Sequence, residues 1–160
     1  MIDDLIPLEN VKKLSLEKSN ISLPSGLRYF KKLGLIILIL QLCSYRNKAS
    51  IFKLQFFNWG FSSTENLAKF HKIIENDLVI PEDSIRLDPA INRTVEFALS
   101  ENFLGIDNNG KILLTSKGEN LYETIKEEGD ILVKEHQILN EIGKYVSEKK
   151  LKSIFENIAG

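Results

Sequence analysis

Apolar residues recur at helical spacing through most of the chain, and glycine, proline or short polar stretches separate the segments that they form. The most apolar segment spans residues 33–43, where leucine and isoleucine cover every side of a helix predicted over residues 27–45. A helix that is apolar all round is typical of an element surrounded by others. We therefore expect this helix to be buried.

Two further helices are predicted in the first half of the chain. One covers residues 48–58, and the other begins after a cap at Ser62 or Ser63 and ends near Glu75. With the buried helix they predict a helical, helix-turn-helix-like half over residues 27–80.

Local signals mark the next elements clearly. Residues 77–87 contain a proline and predict a loop, with a short extended piece at residues 84–87. Asp88 is well placed to cap a helix that runs to about Glu101. Pro89 suits the first position of that helix, because a proline has no N–H group to leave unpaired there.

A β-hairpin is predicted after this helix. The dipeptide Asn109-Gly110 separates two apolar runs at residues 103–106 and 111–114, and both residue types accept the positive φ that a tight hairpin turn requires.

Three helices are predicted after the hairpin. The first begins at residues 115–116, where Ser116 and Glu119 stand at capping-box spacing. The others cover residues 130–146 and 148–157, the last after a serine cap.

The resulting fold class is mainly α with a small β-hairpin, built from tandem helix-turn-helix or winged-helix-like halves. Residues 1–26 form an N-terminal arm, predicted as a short strand or a docked extended segment. Residues 27–80 form the helical half, and residues 81–160 form the winged half with the C-terminal helices.

Composition is that of an ordinary globular protein, with 43% apolar and 27% charged residues in 160. The single cysteine, Cys43, excludes an internal disulfide and favours a reducing, cytoplasmic setting. Asp3 and Asp4 stand where a secretory signal would carry basic residues. The longest apolar run has eleven residues, whereas a membrane span needs about 20. We therefore expect no membrane association.

Charge is unevenly distributed, although the whole chain carries a formal net charge of -1. Residues 27–72 contain eight basic residues and one acid, a balance of +7. Such a stretch can attract phosphate if folding gathers the side chains on one face, and the alternative is a solvated surface balanced by the acidic second half. The candidate phosphate contacts for DNA binding are five lysines: Lys48, Lys53, Lys69, Lys72 and, at the tip of the wing, Lys111.

The sequence carries no recognisable catalytic or metal-binding constellation. His71 and His136 lack a His-Glu-x-x-His pattern, and Cys43 ends the most apolar helix, where a thiol is usually inert packing. We found no nucleophile elbow and no phosphate-binding glycine loop. We therefore expect no enzyme activity, no cofactor and no metal.

Four bulky aromatic residues lie within six positions, at Phe56, Phe57, Trp59 and Phe61. They are the candidate partner-binding residues, because large aromatic side chains dominate binding hot spots. The alternative is that all four fill the junction between the two halves.

The order of elements over residues 84–127 resembles the winged-helix family, and residues 114–118 (LTSKG) look like the turn that often follows its wing. That resemblance implies a fold used to bind DNA or proteins. Base-specific reading by Asn92 or Arg93 is disfavoured, because Glu96 and Glu101 on the same helix would repel phosphate.

A second resemblance covers about residues 28–156. The runs at residues 54–59 (LQFFNW), 86–93 (RLDPAINR) and 97–99 (FAL) resemble the small middle component of bacterial three-component ABC-type defence systems, including the Lamassu group. This resemblance implies a non-catalytic adaptor that links an SMC-like coiled-coil ATPase to an effector, often a nuclease, in DNA surveillance against phage or plasmids. The alternatives are a winged-helix transcription regulator and an enzyme subunit with a cryptic active site.

Overall fold

The computed structural model describes residues 25–156, and over this part of the chain the protein is mainly helical with little β-structure. The expected fold class is therefore confirmed. The elements in chain order are α1 (Ser25–Cys43), β1 (Lys48–Ala49), α2 (Ile51–Gly60), α3 (Thr64–Glu75), β2 (Ile80–Pro81), α4 (Pro89–Ser100), β3 (Leu104–Ile106), β4 (Ile112–Leu114), α5 (Ser116–Glu128), α6 (Val133–Ile142), α7 (Glu148–Ile154) and β5 (Phe155–Glu156). The predicted arm lies outside the described residues, except for its last two, which begin α1.

Helix α1 is the centre of the core, as the apolar run at residues 33–43 predicts. Residues 33–40 are buried on every side, and α1 packs against α2, α4, α5 and α6. One continuous apolar cluster extends from α1 to Phe155 in β5. The segments on either side of residue 80 therefore share a single core.

A three-stranded antiparallel sheet also joins these segments. Its strand order is β1-β4-β3, so β4 is the central strand. Leu113 in β4 lies opposite Lys48 of β1 on one side and opposite Gly105 of β3 on the other. The prediction of a helix over residues 48–58 was wrong at its start, because Lys48 and Ala49 pair with β4. Helix α2 begins only after Ser50, whose side chain accepts a hydrogen bond from the Lys53 backbone N–H.

The predicted caps of the next two helices are confirmed. Ser63 accepts a hydrogen bond from the Asn66 backbone N–H at the start of α3, and Asp88 accepts one from Ala90 at the start of α4. Pro89 occupies the first turn of α4. The hairpin is confirmed as well, with β3 and β4 antiparallel around the predicted turn.

The cap of α5 differs from the prediction by one residue. Thr115, not Ser116, is the N-cap, and its hydroxyl accepts a hydrogen bond from the Gly118 backbone N–H. The same hydroxyl donates to the carbonyl of Asn102, so it also ties α5 to the segment before β3. The capping box between Ser116 and Glu119 is therefore not formed.

The C-terminal helices are shorter than predicted. Helix α6 ends at Ile142, not Val146, because Gly143 adopts a positive φ of 56° that breaks the helix. Ser147 caps α7 as expected, but α7 ends at Ile154, where β5 begins and pairs in parallel with β2. The extended piece was predicted at residues 84–87, but the strand of this region, β2, lies earlier in the chain. Ser84 is instead the last residue of a short 3-10 turn.

Candidate functional site

A basic cleft lies between the wing, the end of α1 and the start of α7. Its volume is about 450 Å³. It brings together three of the five lysines proposed for DNA binding: Lys48, Lys53 and Lys111. Its other charged residues are Arg46, Lys144, Asp107 and Glu148. Folding therefore gathers part of the basic sequence on one surface.

Asp107 organises the wing side of this cleft. One of its carboxylate oxygens accepts hydrogen bonds from the backbone N–H groups of Asn109 and Lys111, at 2.8 and 2.9 Å. The other oxygen lies 3.1 Å from the Lys48 Nζ. The hydrogen bond from Lys111 and the ion pair with Lys48 hold the pKa of Asp107 below its ordinary value. Lys48 is therefore already paired, which makes it a weaker phosphate contact than predicted.

Lys53 was predicted as a surface contact for DNA, but it lies beneath the surface and lines only the interior of the cleft. Its side chain is 2% exposed, and its Nζ donates to the Cys43 carbonyl at 2.5 Å. Helix α2 starts three residues later than predicted, and Lys53 lies on its buried side, with its stem in the core below the cleft. Burial lowers the pKa of Lys53, while the nearby Glu148 carboxylate acts to raise it.

Three residues of the cleft were missed from the sequence: Tyr45, Arg46 and Lys144. Tyr45 is 72% exposed, and the Arg46 guanidinium carbon lies 5.5 Å from the centre of its ring. Arg46 has a φ of 55°, in the left-handed region that non-glycine residues seldom adopt. The available signal was the predicted end of the first helix at residue 45, directly before Arg46. The position of these residues beside the wing follows from tertiary contacts, which the sequence does not display.

The other two predicted DNA contacts lie elsewhere. Lys69 and Lys72 are exposed on α3, outside the residues that line the cleft. Lys69 lies 3.8 Å from Glu65 on the same helix, a solvent-exposed pair that contributes little stability. The five lysines therefore do not form one continuous surface.

The four aromatic residues proposed for partner binding separate into two pairs. Phe56 and Phe57 are fully buried, so the prediction that they contact a partner was wrong. The Phe56 ring packs against the rings of Phe70 and Phe155, with centroid distances of 4.8 and 5.0 Å. They fill the core because α2 points that face toward α3 and β5. Trp59 and Phe61 remain partly exposed.

Trp59 and Phe61 line a groove made of three adjoining hollows. The hollows have volumes of about 500, 330 and 310 Å³. Leu87 is shared by the first and second hollows, while Asn58 and Ser62 are shared by the second and third. We call these three neighbouring hollows together the α2 groove.

Hydrogen bonds from α2 fix the shape of the groove. The buried Gln55 side chain donates to the Asp88 carbonyl and accepts from the Asp88 N–H, both at 2.9 Å. The Asp88 carboxylate also lies 3.0 Å from the Lys32 Nζ, and Lys32 donates to the Asn58 side chain. This network joins α1, α2 and α4 beneath the groove.

The α2 groove carries acids at one end and mostly basic residues at the other, and its middle hollow sets Trp59 and Leu87 among polar and charged side chains. Leu87, which is 51% exposed, lies between the first two hollows. Glu82 and Asp83 line the first hollow, whereas Arg28, Lys31 and Lys32 line the third. Sequence reasoning missed Leu87 because an isolated leucine in a loop carries no periodicity.

Cys43 and the histidines have ordinary structural surroundings. The Cys43 Sγ donates to the Leu139 carbonyl at 3.3 Å, and burial raises its pKa to about 12. His71 lies 3.8 Å from Glu75, and His136 stacks on Tyr122 with ring centroids 6.0 Å apart. Within residues 25–156, no three His, Cys, Asp or Glu side chains are grouped so that they could hold a metal ion.

Comparison of the chain with protein-family models, with curated proteins and with solved structures found no match. In the part of the chain that the structure describes, no helix combines the length and apolar character needed to cross a membrane.

Proposed function

We propose that this chain is a non-catalytic adaptor that binds a segment of another protein in the α2 groove. The observation that carries the proposal is the row of neighbouring hollows, which are lined by Trp59, Phe61 and the exposed Leu87. Buried anchors of this kind supply most of the energy of protein interfaces. The hydrogen bonds of Gln55 and Asp88 preorganise the groove, which lowers the entropic cost of binding.

The charge arrangement gives the partner segment a direction. A segment with a basic end near Glu82 and Asp83 and an acidic end near Lys31 is complementary to the groove. An apolar or aromatic side chain between these ends would pack on Leu87 and Trp59. Complementary charge fixes the register of such a segment more than its affinity.

The partner classes come from the resemblance to the defence-system subunit. We propose an SMC-like coiled-coil ATPase and an effector such as a nuclease, acting together in DNA surveillance in the cytoplasm. In this arrangement the partners carry out ATP hydrolysis and strand cleavage, and the adaptor couples them. The proposal includes weak, non-specific contact with DNA through the basic surface.

The alternative is a winged-helix transcription regulator. The antiparallel hairpin beside the basic cleft favours it, because a wing with Lys111 near its tip suits a phosphate contact. A regulator of this type is a symmetric dimer that reads two half-sites.

Sedimentation and footprinting of the isolated chain distinguish the two functions. An adaptor should sediment as a monomer and leave no discrete footprint on DNA from its own genomic neighbourhood. Hydrolase and nuclease assays on the same sample should show no activity. A dimer that protects one short palindrome would establish the regulator, and activity abolished by a single substitution would establish an enzyme.

A further inference from the structure

The basic cleft carries three cations that no acid of the described chain neutralises. Lys48 is paired with Asp107 across 3.1 Å, and the buried Lys53 faces the carboxylate of Glu148. Arg46, Lys111 and Lys144 line the same cleft, and none of the three has an ion-pair partner among residues 25–156. Three cations around one concavity favour an anion that enters it.

The floor of the cleft contains a buried ammonium with unused donors. Lys53 has three N–H groups, and within the described residues its Nζ reaches one acceptor, the Cys43 carbonyl. Glu148 compensates part of its charge, but one Glu148 oxygen already accepts from the Ser50 N–H at 2.9 Å. A buried charge with unsatisfied donors is costly unless a further acceptor reaches it.

The mouth of the cleft presents an aromatic ring. Tyr45 is exposed beside Arg46, in the short 3-10 turn that follows the end of α1 at Cys43. An exposed ring next to phosphate-binding cations is the arrangement on which nucleobases stack. The cleft volume of about 450 Å³ falls within the range of small-molecule sites.

We propose that this cleft binds a nucleotide phosphate, with Lys53, Lys111 and Lys144 around the phosphate and Tyr45 against the base. The phosphate belongs either to a free nucleotide or to the 5′ end of a single strand, since both present the same chemistry. The proposal is independent of the adaptor function, because the lining residues of the cleft and of the α2 groove do not overlap.

Calorimetric titration of the full chain tests this site. The probes are dAMP, deoxyadenosine, inorganic phosphate, and single strands of about eight nucleotides with and without a 5′ phosphate. We expect dAMP to bind at least tenfold more tightly than deoxyadenosine, because charge-assisted hydrogen bonds to the phosphate are lost in the nucleoside. Preference for the phosphorylated strand over dAMP identifies a strand end, and the reverse identifies a free nucleotide.

Three variants locate the binding. The double variant Lys111→Gln with Lys144→Gln should weaken dAMP binding by about tenfold or more, since two phosphate contacts are removed. Tyr45→Ala should weaken dAMP binding but leave the affinity for inorganic phosphate unchanged. Lys53→Met should weaken the binding of dAMP and of inorganic phosphate. If that variant does not fold, the Lys111→Gln and Lys144→Gln double variant keeps the test valid.

The matched control is Lys69→Gln with Lys72→Gln, two exposed lysines on α3 outside the cleft. The control should bind dAMP like the native chain. The proposal is overturned if no probe binds at millimolar concentration, if deoxyadenosine binds as tightly as dAMP, or if the control loses as much affinity as the cleft variant.

Discussion

Asp88 is the residue at which α1, α2 and α4 meet in one network. Its carboxylate caps α4 through Ala90, lies 3.0 Å from Lys32 and accepts from Asn58 at 3.5 Å. Partial burial acts to raise the pKa of Asp88, but the hydrogen bond from Ala90 and the contact with Lys32 lower it overall. The charged form therefore stabilises the folded protein.

This charge makes part of the stability depend on pH. Because the folded-state pKa of Asp88 is lowered, its contribution is complete above the unfolded-state pKa and is lost as the pH falls through the folded-state value. Asp88→Asn keeps the cap but removes the charge. We expect the variant to be less stable by a few tenths to about 1 kcal/mol at pH 7, after allowance for solvent screening.

Urea unfolding of both proteins measures this difference. It should shrink as the pH falls below the ordinary range of an aspartate. The control is Glu96→Gln, which removes an exposed carboxylate from the same helix. A stability gap that persists unchanged in acid would show that the Asp88 charge does not act as described.

At the scale of elements, the helix caps and the hairpin turn could be predicted because each depends on residues that are close together in the chain. Ser63 and Asp88 cap helices through groups two or three residues away, and the Asn109-Gly110 turn depends on its own backbone dihedrals. The two-residue strands could not be predicted this way. Strand β1 exists only because it meets β4, more than sixty residues later, and β2 exists because it meets β5.

The packing of α5 on the wing rests on one glycine. A Cβ atom at Gly118 would lie 2.3 Å from the Phe103 backbone oxygen, which cannot move independently of the chain before β3. In a helix, alanine usually stabilises relative to glycine by about 1 kcal/mol. Here we expect Gly118→Ala to destabilise the protein by roughly 1–3 kcal/mol through overpacking.

Thermal or urea unfolding measures the change, and Asn120→Ala is the matched control. Asn120 is exposed on the same helix, so its replacement should leave the stability unchanged or slightly increased. A Gly118→Ala variant as stable as that control would contradict the close approach of α5 to Phe103.

At the scale of the whole molecule, the candidate sites depend on contacts that the sequence does not display. Lys48 and Lys111 were predicted as phosphate contacts from charge alone, and the β1–β4 pairing brings their strands together. Lys53 carries the same charge, but the phase of α2 buries it. The phase of α2 also explains why Phe56 is buried and Trp59 is partly exposed. The helix turns the Phe56 ring into the core and leaves the Trp59 ring at its edge.

The most direct test of the adaptor account is quantitative recovery of the tagged chain from its native cell, with identification of the proteins that co-elute. The comparison is between the native chain, Leu87→Asp in the α2 groove, and Ile106→Asp. Ile106 is 56% exposed on β3 and lines none of the groove hollows, so it is a matched control. The account predicts that a large coiled-coil ATPase elutes with the native chain and the control, and is lost with Leu87→Asp. Recovery of the native chain as a self-paired dimer on one DNA site, without that ATPase, would contradict it.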